Sequence, residues 1–380
     1  MRIIIESDSL VQFLIATHLR TTIFKSDKVD LLMYDSMPAA KQICNNIKKS
    51  GFYNDVYIVS SVLAVGITKI GFIDKIIKYL RWFELQIAPL HGTRRDIKIA
   101  NYKYDAFVFC ANGIFLEGLY NVCRRENPQM HCLRYEGSLT SYLHDHENAK
   151  GRFRRILESC LKKFSGSVDL SEEVEKYYFF EPSLIQFQHN YQIEKIPLIS
   201  SIEPRIIGLL NSVFEFDIKR DYIKENTIAF EDGNLYFMNN NEEVELFTET
   251  AKVLGKENFL VKLHPRNNID RFSSEIVTTN KSIAPWEVYL MNQNISGKTL
   301  ITSASGSIFT SLLYFGMDVK IILVYKIVKQ RIPLIDENFE RLLNSLVSLQ
   351  ENRKHNLSKV YLSCPKSIDE YFQELEKLHN

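Results

Sequence analysis

The stretch Phe259-Leu260-Val261-Lys262-Leu263-His264-Pro265-Arg266 sets a short, nearly unbroken apolar run against an abrupt polar end. A run of this length reads as a strand, here Asn258 to Leu263, buried on both faces of a parallel sheet. Pro265 has no amide proton to continue strand pairing and restrains His264 to extended backbone. The strand therefore delivers a histidine and an arginine to its carboxyl end. Around it, Thr227 to Phe230, Leu300 to Thr302 and Val319 to Val324 read as further strands. Glu242 to Leu254, Trp286 to Met291 and Ser307 to Phe315 read as the helices between them, and Glu337 to Gln350 and Ile368 to Leu378 as closing helices. Pro285 suits the first turn of its helix.

The same alternation occupies the first half of the chain. Arg2 to Ile5, Val29 to Tyr34, Val56 to Val59, Asp105 to Cys110 and His131 to Tyr135 have strand character. Ser9 to Phe24, Met37 to Lys49 and Ile114 to Arg125 have helical spacing. Residues 165–225 read as a crossover. Strands alternating with helices argue for a parallel sheet covered on both faces. The expected architecture is α/β: two Rossmann-like domains, 1–200 and 201–380, with ligands in an interdomain cleft beyond the carboxyl ends of the strands.

A chain of 380 residues is long enough for two such cores. Hydrophobic residues make up 45% and charged residues 24%, the balance of a globular protein rather than a disordered one. The formal net charge of +1 gives no pointer to nucleic acid. Aromatics are abundant, with 19 Tyr and 24 Phe, and fit a core or a sugar-binding cleft. Cys44, Cys110, Cys123, Cys132, Cys160 and Cys364 form no CxxC pair, which fits a reduced, cytoplasmic protein without a zinc site. Arg2 to Ile5 is too short for a signal-peptide core, and no apolar run reaches the roughly 18 residues of a membrane helix. Arg152 to Lys163 reads as an amphipathic helix, with Phe153, Ile156, Leu157, Cys160 and Leu161 opposite Arg152, Arg154, Arg155, Lys162 and Lys163. That pattern fits a solvated outer helix or peripheral contact with an anionic membrane.

Several strand ends carry residues suited to chemistry. His264, with a reference pKa of about 6.5, suits a phosphate ligand or a proton donor to a leaving phosphate, and equally an ordinary strand end. Glu287, at the start of a helix after Pro285-Trp286, suits ribose hydroxyls or simply the helix dipole. In Thr302-Ser303-Ala304-Ser305-Gly306-Ser307, a strand passes into a helix through a run of hydroxyl groups, an arrangement that favours anions. No Gly-Lys-Ser/Thr of a phosphate loop is present. Two acidic turns, Glu136-Gly137 and Glu231-Asp232-Gly233, end strands and offer a general base or an ordinary turn.

Together these elements resemble the bacterial sialyltransferases of the lipooligosaccharide, capsular polysialyl and multifunctional types. The shared pattern is an acidic-acidic-glycine turn, a later His-Pro, and a Ser-Ser/Thr element, matched here by Tyr135-Glu136-Gly137, His264-Pro265 and Thr302 to Ser305. Two departures stand out: Tyr135 occupies the first acidic position, and Ala304 separates Ser303 from Ser305. The resemblance implies the GT-B fold and a metal-independent, inverting transfer of Neu5Ac from CMP-Neu5Ac to a bacterial surface glycan, without a cofactor. It implies Glu136 or Asp232 as base, and His264 as leaving-group catalyst. Pro265, Arg266, Thr302, Ser303, Ser305, Glu231 and Gly233 belong to the donor site, and Glu287 takes the ribose. Trp82, Phe83, His91, Arg94 and Arg95 are acceptor-side candidates in the first half, and a homodimer is compatible with the sequence. The competing readings are another donor (CMP-Kdo, a different nucleotide sugar, a polyol phosphate) or a non-catalytic glycan-binding scaffold.

Overall fold

The structure, a computed structural model, describes residues 1–60, 80–81, 83–85, 87–143, 160–231, 241–264, 270–272, 276–279, 283–303, 305–328, 337–352 and 361–379. The chain divides into two compact units, Met1–Pro197 and Leu198–Asn380.

The first unit is built on seven parallel strands: β1 (Arg2–Ser7), β2 (Lys28–Tyr34), β3 (Val56–Val59), β4 (Ala106–Phe109), β5 (His131–Tyr135), β6 (Lys176–Phe179) and β7 (Gln192–Lys195). Their order across the sheet is β3-β2-β1-β4-β5-β6-β7. The chain thus starts mid-sheet, runs to one edge and returns to the other side of β1. Ile3 of β1 pairs with Val29 on one side and Ala106 on the other, so at this residue the strand is flanked by apolar neighbours. Helix α1 (Leu10–Thr21) is capped by Ser9, whose hydroxyl accepts the Gln12 amide at 3.3 Å. It is buried nearly all round.

Three sequence expectations need correction here. Helix α2 (Ala40–Ser50) begins three residues later than Met37, because Ala39 takes a left-handed conformation, φ 54°, that a right-handed helix excludes. The helix ends at Gly51, φ 63°, in the conformation glycine adopts without strain. The stretch read as crossover contains β6 and β7, completing the first sheet. β7 was hidden because an edge strand with Glu194 and Lys195 half in water lacks an apolar run. Finally, Lys162 does not lie on a solvated basic face. It is buried and paired with Glu117 and Asp169, each at 2.6 Å, while Cys160 and Phe164 are exposed. Residues 151–159 of that segment lie outside the described residues.

The second unit repeats the plan with six parallel strands: β8 (Thr227–Phe230), β9 (Phe259–Lys262), β10 (Val277–Thr278), β11 (Thr299–Thr302), β12 (Lys320–Leu323) and β13 (Tyr361–Ser363). Their order is β10-β9-β8-β11-β12-β13, the same reversal about the first strand of the unit. Helix α3 (Asn241–Leu254) turns Val244, Phe247, Ala251 and Leu254 toward the sheet at helical spacing. The last helix, α4 (Ile368–His379), adds Tyr371, Leu375 and Leu378 to that core. The Tyr371 hydroxyl meets Thr250 Oγ1 at 2.7 Å, so its burial leaves no polar atom stranded.

Ile301 lies fully buried at the centre of this core. Ile301→Ala is expected to lower unfolding stability by about 2–5 kcal/mol, the range for truncating a core aliphatic. A urea midpoint within error of wild type would contradict that placement.

Candidate active site

In an open parallel sheet the crevice for ligands lies at the carboxyl ends of the strands, where the order reverses. In the second unit that point falls between β8 and β11. Glu231 follows β8, His264 follows β9 by two residues, and Ser303 follows β11. All three carry groups that meet in one buried network. Glu231 Oε2 accepts the His264 amide at 2.9 Å, and its Oε1 accepts Arg271 Nε at 3.0 Å. Arg271 also donates to Glu243 Oε2 at 2.9 Å. Ser303 Oγ donates to Glu243 Oε1 at 3.0 Å. Glu231, Glu243 and Ser303 are each about 1% exposed.

The hydroxyl run at the end of β11 therefore divides by direction. Thr302 and Ser303 are buried and turned into the protein, whereas Ser305 is partly exposed. Thr302 Oγ1 accepts the Ser305 amide at 2.9 Å and fixes that turn. The following helix, α5 (Ser307–Leu313), spans seven residues with Gly306 before it.

Lys262, two residues before His264, is buried with Nζ 3.2 Å from the Leu263 carbonyl and 5.1 Å from the Tyr289 ring centre. Burial lowers its pKa to about 8, and the attraction of Glu287, Asp221 and Glu231 offsets only part of that effect. Glu287 lies on helix α6 (Trp286–Asn292), which starts after Pro285 as its N-cap. It is 1% exposed, and neither carboxylate oxygen completes a hydrogen bond of full geometry among the described residues. Burial raises its pKa, opposed by its own peptide N–H, the Thr310 hydroxyl and Lys262.

In the first unit, Glu136 follows β5 and is fully buried. Its Oε2 accepts the Phe180 amide at 2.9 Å and a short hydrogen bond from the Tyr142 hydroxyl. Tyr135, at the position where the resemblance leads one to expect an acid, reaches over the sheet and donates to the Glu6 carbonyl at 2.5 Å. Gly137 is set by packing: a Cβ there would lie 2.0 Å from Cys110 Sγ and 2.7 Å from Gln12 Nε2. The reversal point of this sheet, between β1 and β4, holds Glu6, which sequence reasoning passed over. Its Oε2 accepts the Cys110 amide at 3.0 Å, while Oε1 is buried without a hydrogen bond. Burial, with repulsion from Asp8, pushes its pKa well above the ordinary carboxyl range.

The expectations at Pro265, Arg266, Asp232, Gly233 and Trp82 lie outside the described residues. Of the other acceptor-side candidates, Phe83 is exposed. His91 and Arg95 both contact Glu84, at 2.8 and 3.5 Å, and Arg94 lies 5.9 Å from the Tyr102 ring centre. The six cysteines are free. Among the described residues no cluster of three or more His, Cys, Asp or Glu side chains suits a metal ion, and no helix is long and apolar enough to cross a membrane.

No family model matches the chain, and no curated protein matches it. Solved structures do. The glycosyltransferase SnogD from Streptomyces nogalater superposes with a TM-score of 0.53 at 10% identity, over 99% of this chain and 91% of its own. UGT89C1 of Arabidopsis thaliana, complexed with UDP, gives 0.52 at 10% identity, over 100% and 91%. The glycosyltransferase VinC, in complex with dTDP, gives 0.51 at 9% identity, over 100% and 91%. The fold is GT-B.

Within this GT-B chain, Glu243 and Arg271 are the members of this network that the sequence hid. Glu243 stands in the first turn of its helix, where acids are common, and the sequence around Arg271 has no apolar periodicity. Lys262 did leave a trace, as the one charge inside an apolar strand.

Because the Lys262 pKa falls on folding, the unfolded chain holds the proton to higher pH than the native one. Stability attributable to this group is therefore gained as pH rises from about 8 toward 10. Between pH 8 and 9.5 the wild type should gain about 1–2 kcal/mol relative to Lys262→Met. Parallel urea-stability curves for the two proteins over that interval would show that Lys262 titrates normally.

Proposed function

We propose that this protein is a nucleotide-sugar-dependent glycosyltransferase whose second unit holds the donor. The observation that carries the reading is the convergence of Glu231, His264 and Ser303 at the reversal point of a Rossmann-ordered sheet in a GT-B chain. The finer reading, from the resemblance, is sialyl transfer from CMP-Neu5Ac to a glycan of a bacterial surface polysaccharide or lipooligosaccharide, at the cytoplasmic side of the membrane.

The reaction is a single inverting displacement. The acceptor oxygen bonds to the anomeric carbon as the bond from that carbon to the CMP phosphate breaks. The acceptor proton passes to a carboxylate, and His264 protonates or hydrogen-bonds the departing phosphate oxygen. Pro265 sets the His264 backbone. Arg266 and Ser305 hold the phosphate, with Thr302 fixing the Ser305 turn, and Glu287 takes the ribose hydroxyls. Of the two carboxylates, Glu136 is fully buried with one oxygen held by Tyr142 and the Phe180 amide, so this reading gives the base to Asp232, next to Glu231 and Gly233 in the chain.

A second donor class has a specific observation behind it: two GT-B structures of similar shape were solved with UDP and dTDP. A panel of CMP-Neu5Ac, CMP-Kdo, UDP-sugars, dTDP-sugars and CDP-glycerol, assayed for nucleotide release, separates these readings. Release from CMP-Neu5Ac alone is the expected result. Release only from UDP- or dTDP-sugars moves the donor class, and no release from any leaves a glycan-binding scaffold.

His264→Ala is expected to lower turnover by about two orders of magnitude or more with its melting temperature unchanged. Asp232→Asn should abolish transfer in a folded protein. Glu136→Gln should instead lose mainly stability, since the exchange weakens what the Tyr142 hydroxyl and Phe180 amide share. A stable, inactive Glu136→Gln protein beside an active Asp232→Asn protein would reverse the base assignment.

A further inference from the structure

We propose that Glu243 and Arg271 are positioning residues, which hold His264 and Ser303 in register across the ends of three strands. The proposal rests on reading the second unit as the donor site. Arg271 lies between two carboxylates, bonded to Glu231 at 3.0 Å and to Glu243 at 2.9 Å. The three side chains are 12%, 0% and 2% exposed. At one end of this chain of contacts Glu231 fixes the His264 backbone, and at the other Glu243 fixes the Ser303 hydroxyl. Every link is a hydrogen bond to a buried carboxylate oxygen. Arg271 is irreplaceable by lysine here, because one ammonium cannot present two separated N–H groups in a plane.

The direction of the last bond has a chemical consequence. Ser303 has one proton, and it goes to Glu243 Oε1. While that bond holds, Ser303 presents only lone pairs and cannot donate to a phosphate. Its role is then to fix the start of the turn that carries Ser305, and the phosphate draws its donors from beyond it. Glu243 and Ser303 should consequently act as one unit, with effects on turnover that do not add.

The test is a double-mutant cycle with Glu243→Gln and Ser303→Ala, with Arg271→Lys as a third variant. Donor turnover, donor KM, melting temperature and hydrogen exchange at the His264 amide are measured on the full chain. Positioning predicts that Glu243→Gln lowers kcat at least tenfold, with KM for the donor within threefold of wild type. The double variant should be no worse than Glu243→Gln alone. Exchange at the His264 amide should quicken at least tenfold in Glu243→Gln and in Arg271→Lys, with the melting temperature within a few degrees of wild type. Additive losses would overturn the proposal. So would a raised KM at unchanged kcat, activity that merely follows the folded fraction, or unaltered exchange at His264. If wild type releases no nucleotide from any donor, the functional reading fails on its own, and the exchange data still decide the positioning.

Discussion

A guanidinium between two buried carboxylates is the interaction on which the strand-end edge of the second unit depends. Removing two carboxylates and a guanidinium from water costs several kcal/mol per ion, and mutual attraction recovers it only where geometry and hydrogen bonds are complete. Here Glu231 and Glu243 each spend one oxygen on Arg271 and the other on a group that needs placing: the His264 amide and the Ser303 hydroxyl. The ion triad therefore does more than satisfy itself. It joins the ends of β8, β9 and β11, together with the first turn of α3, into one connected edge. Taking away its cation would strand two carboxylates at once, so the arrangement stands or falls as a whole.

The topology explains why such a device is needed. A parallel sheet leaves its strand ends facing loops, and the reversal of order after the first strand separates the loops from neighbouring strands. Among the described residues the Glu231 amide still donates to the Lys262 carbonyl at 3.1 Å, and side chains add further ties, which in the second unit are charged. In the first unit the carboxylates of Glu6 and Glu136 accept the Cys110 and Phe180 amides, and close packing adds to them. Tyr135 crosses the sheet to the Glu6 carbonyl, and Gly137 lets Cys110 and Gln12 close to distances that no Cβ would permit. Both halves place carboxylates at their strand ends, joined through an arginine in the second and through close packing in the first.

This division decides what could be read from the residues alone. A continuous apolar run such as Thr227–Phe230 announced its strand to the residue, because burial on both faces favours that composition. Edge strands failed that test: Gln192–Lys195 is half in water and carries charge. His264 and the Thr302-to-Ser305 run were visible as polar breaks at strand ends. What no pattern carried was direction. Nothing in Ser303 says that its hydroxyl turns inward to Glu243, and nothing in Arg271 says that it returns to a strand some forty positions earlier. Long-range pairing of charges is a property of the folded geometry, and a single sequence holds no periodic trace of it.

Both units concentrate unfavourable electrostatics at the same place. Glu6 is buried near the reversal point of the first sheet, with one oxygen unbonded and its proton held far above the ordinary range. Lys262 and Glu287 are buried in the second unit, each shifted toward its neutral form in spite of the other's charge. A hydrophobic residue at any of these three positions would fit the surrounding core with less desolvation. Elsewhere the same sheets show no such reluctance to be apolar: Ile3, Ile5, Phe259, Val261 and Ile301 are fully enclosed. Selection for stability alone gives no account of polar groups kept at the carboxyl edge against that cost. Buried, perturbed ionisable groups of this kind gather preferentially at functional sites, and here they gather where the fold opens its strand ends.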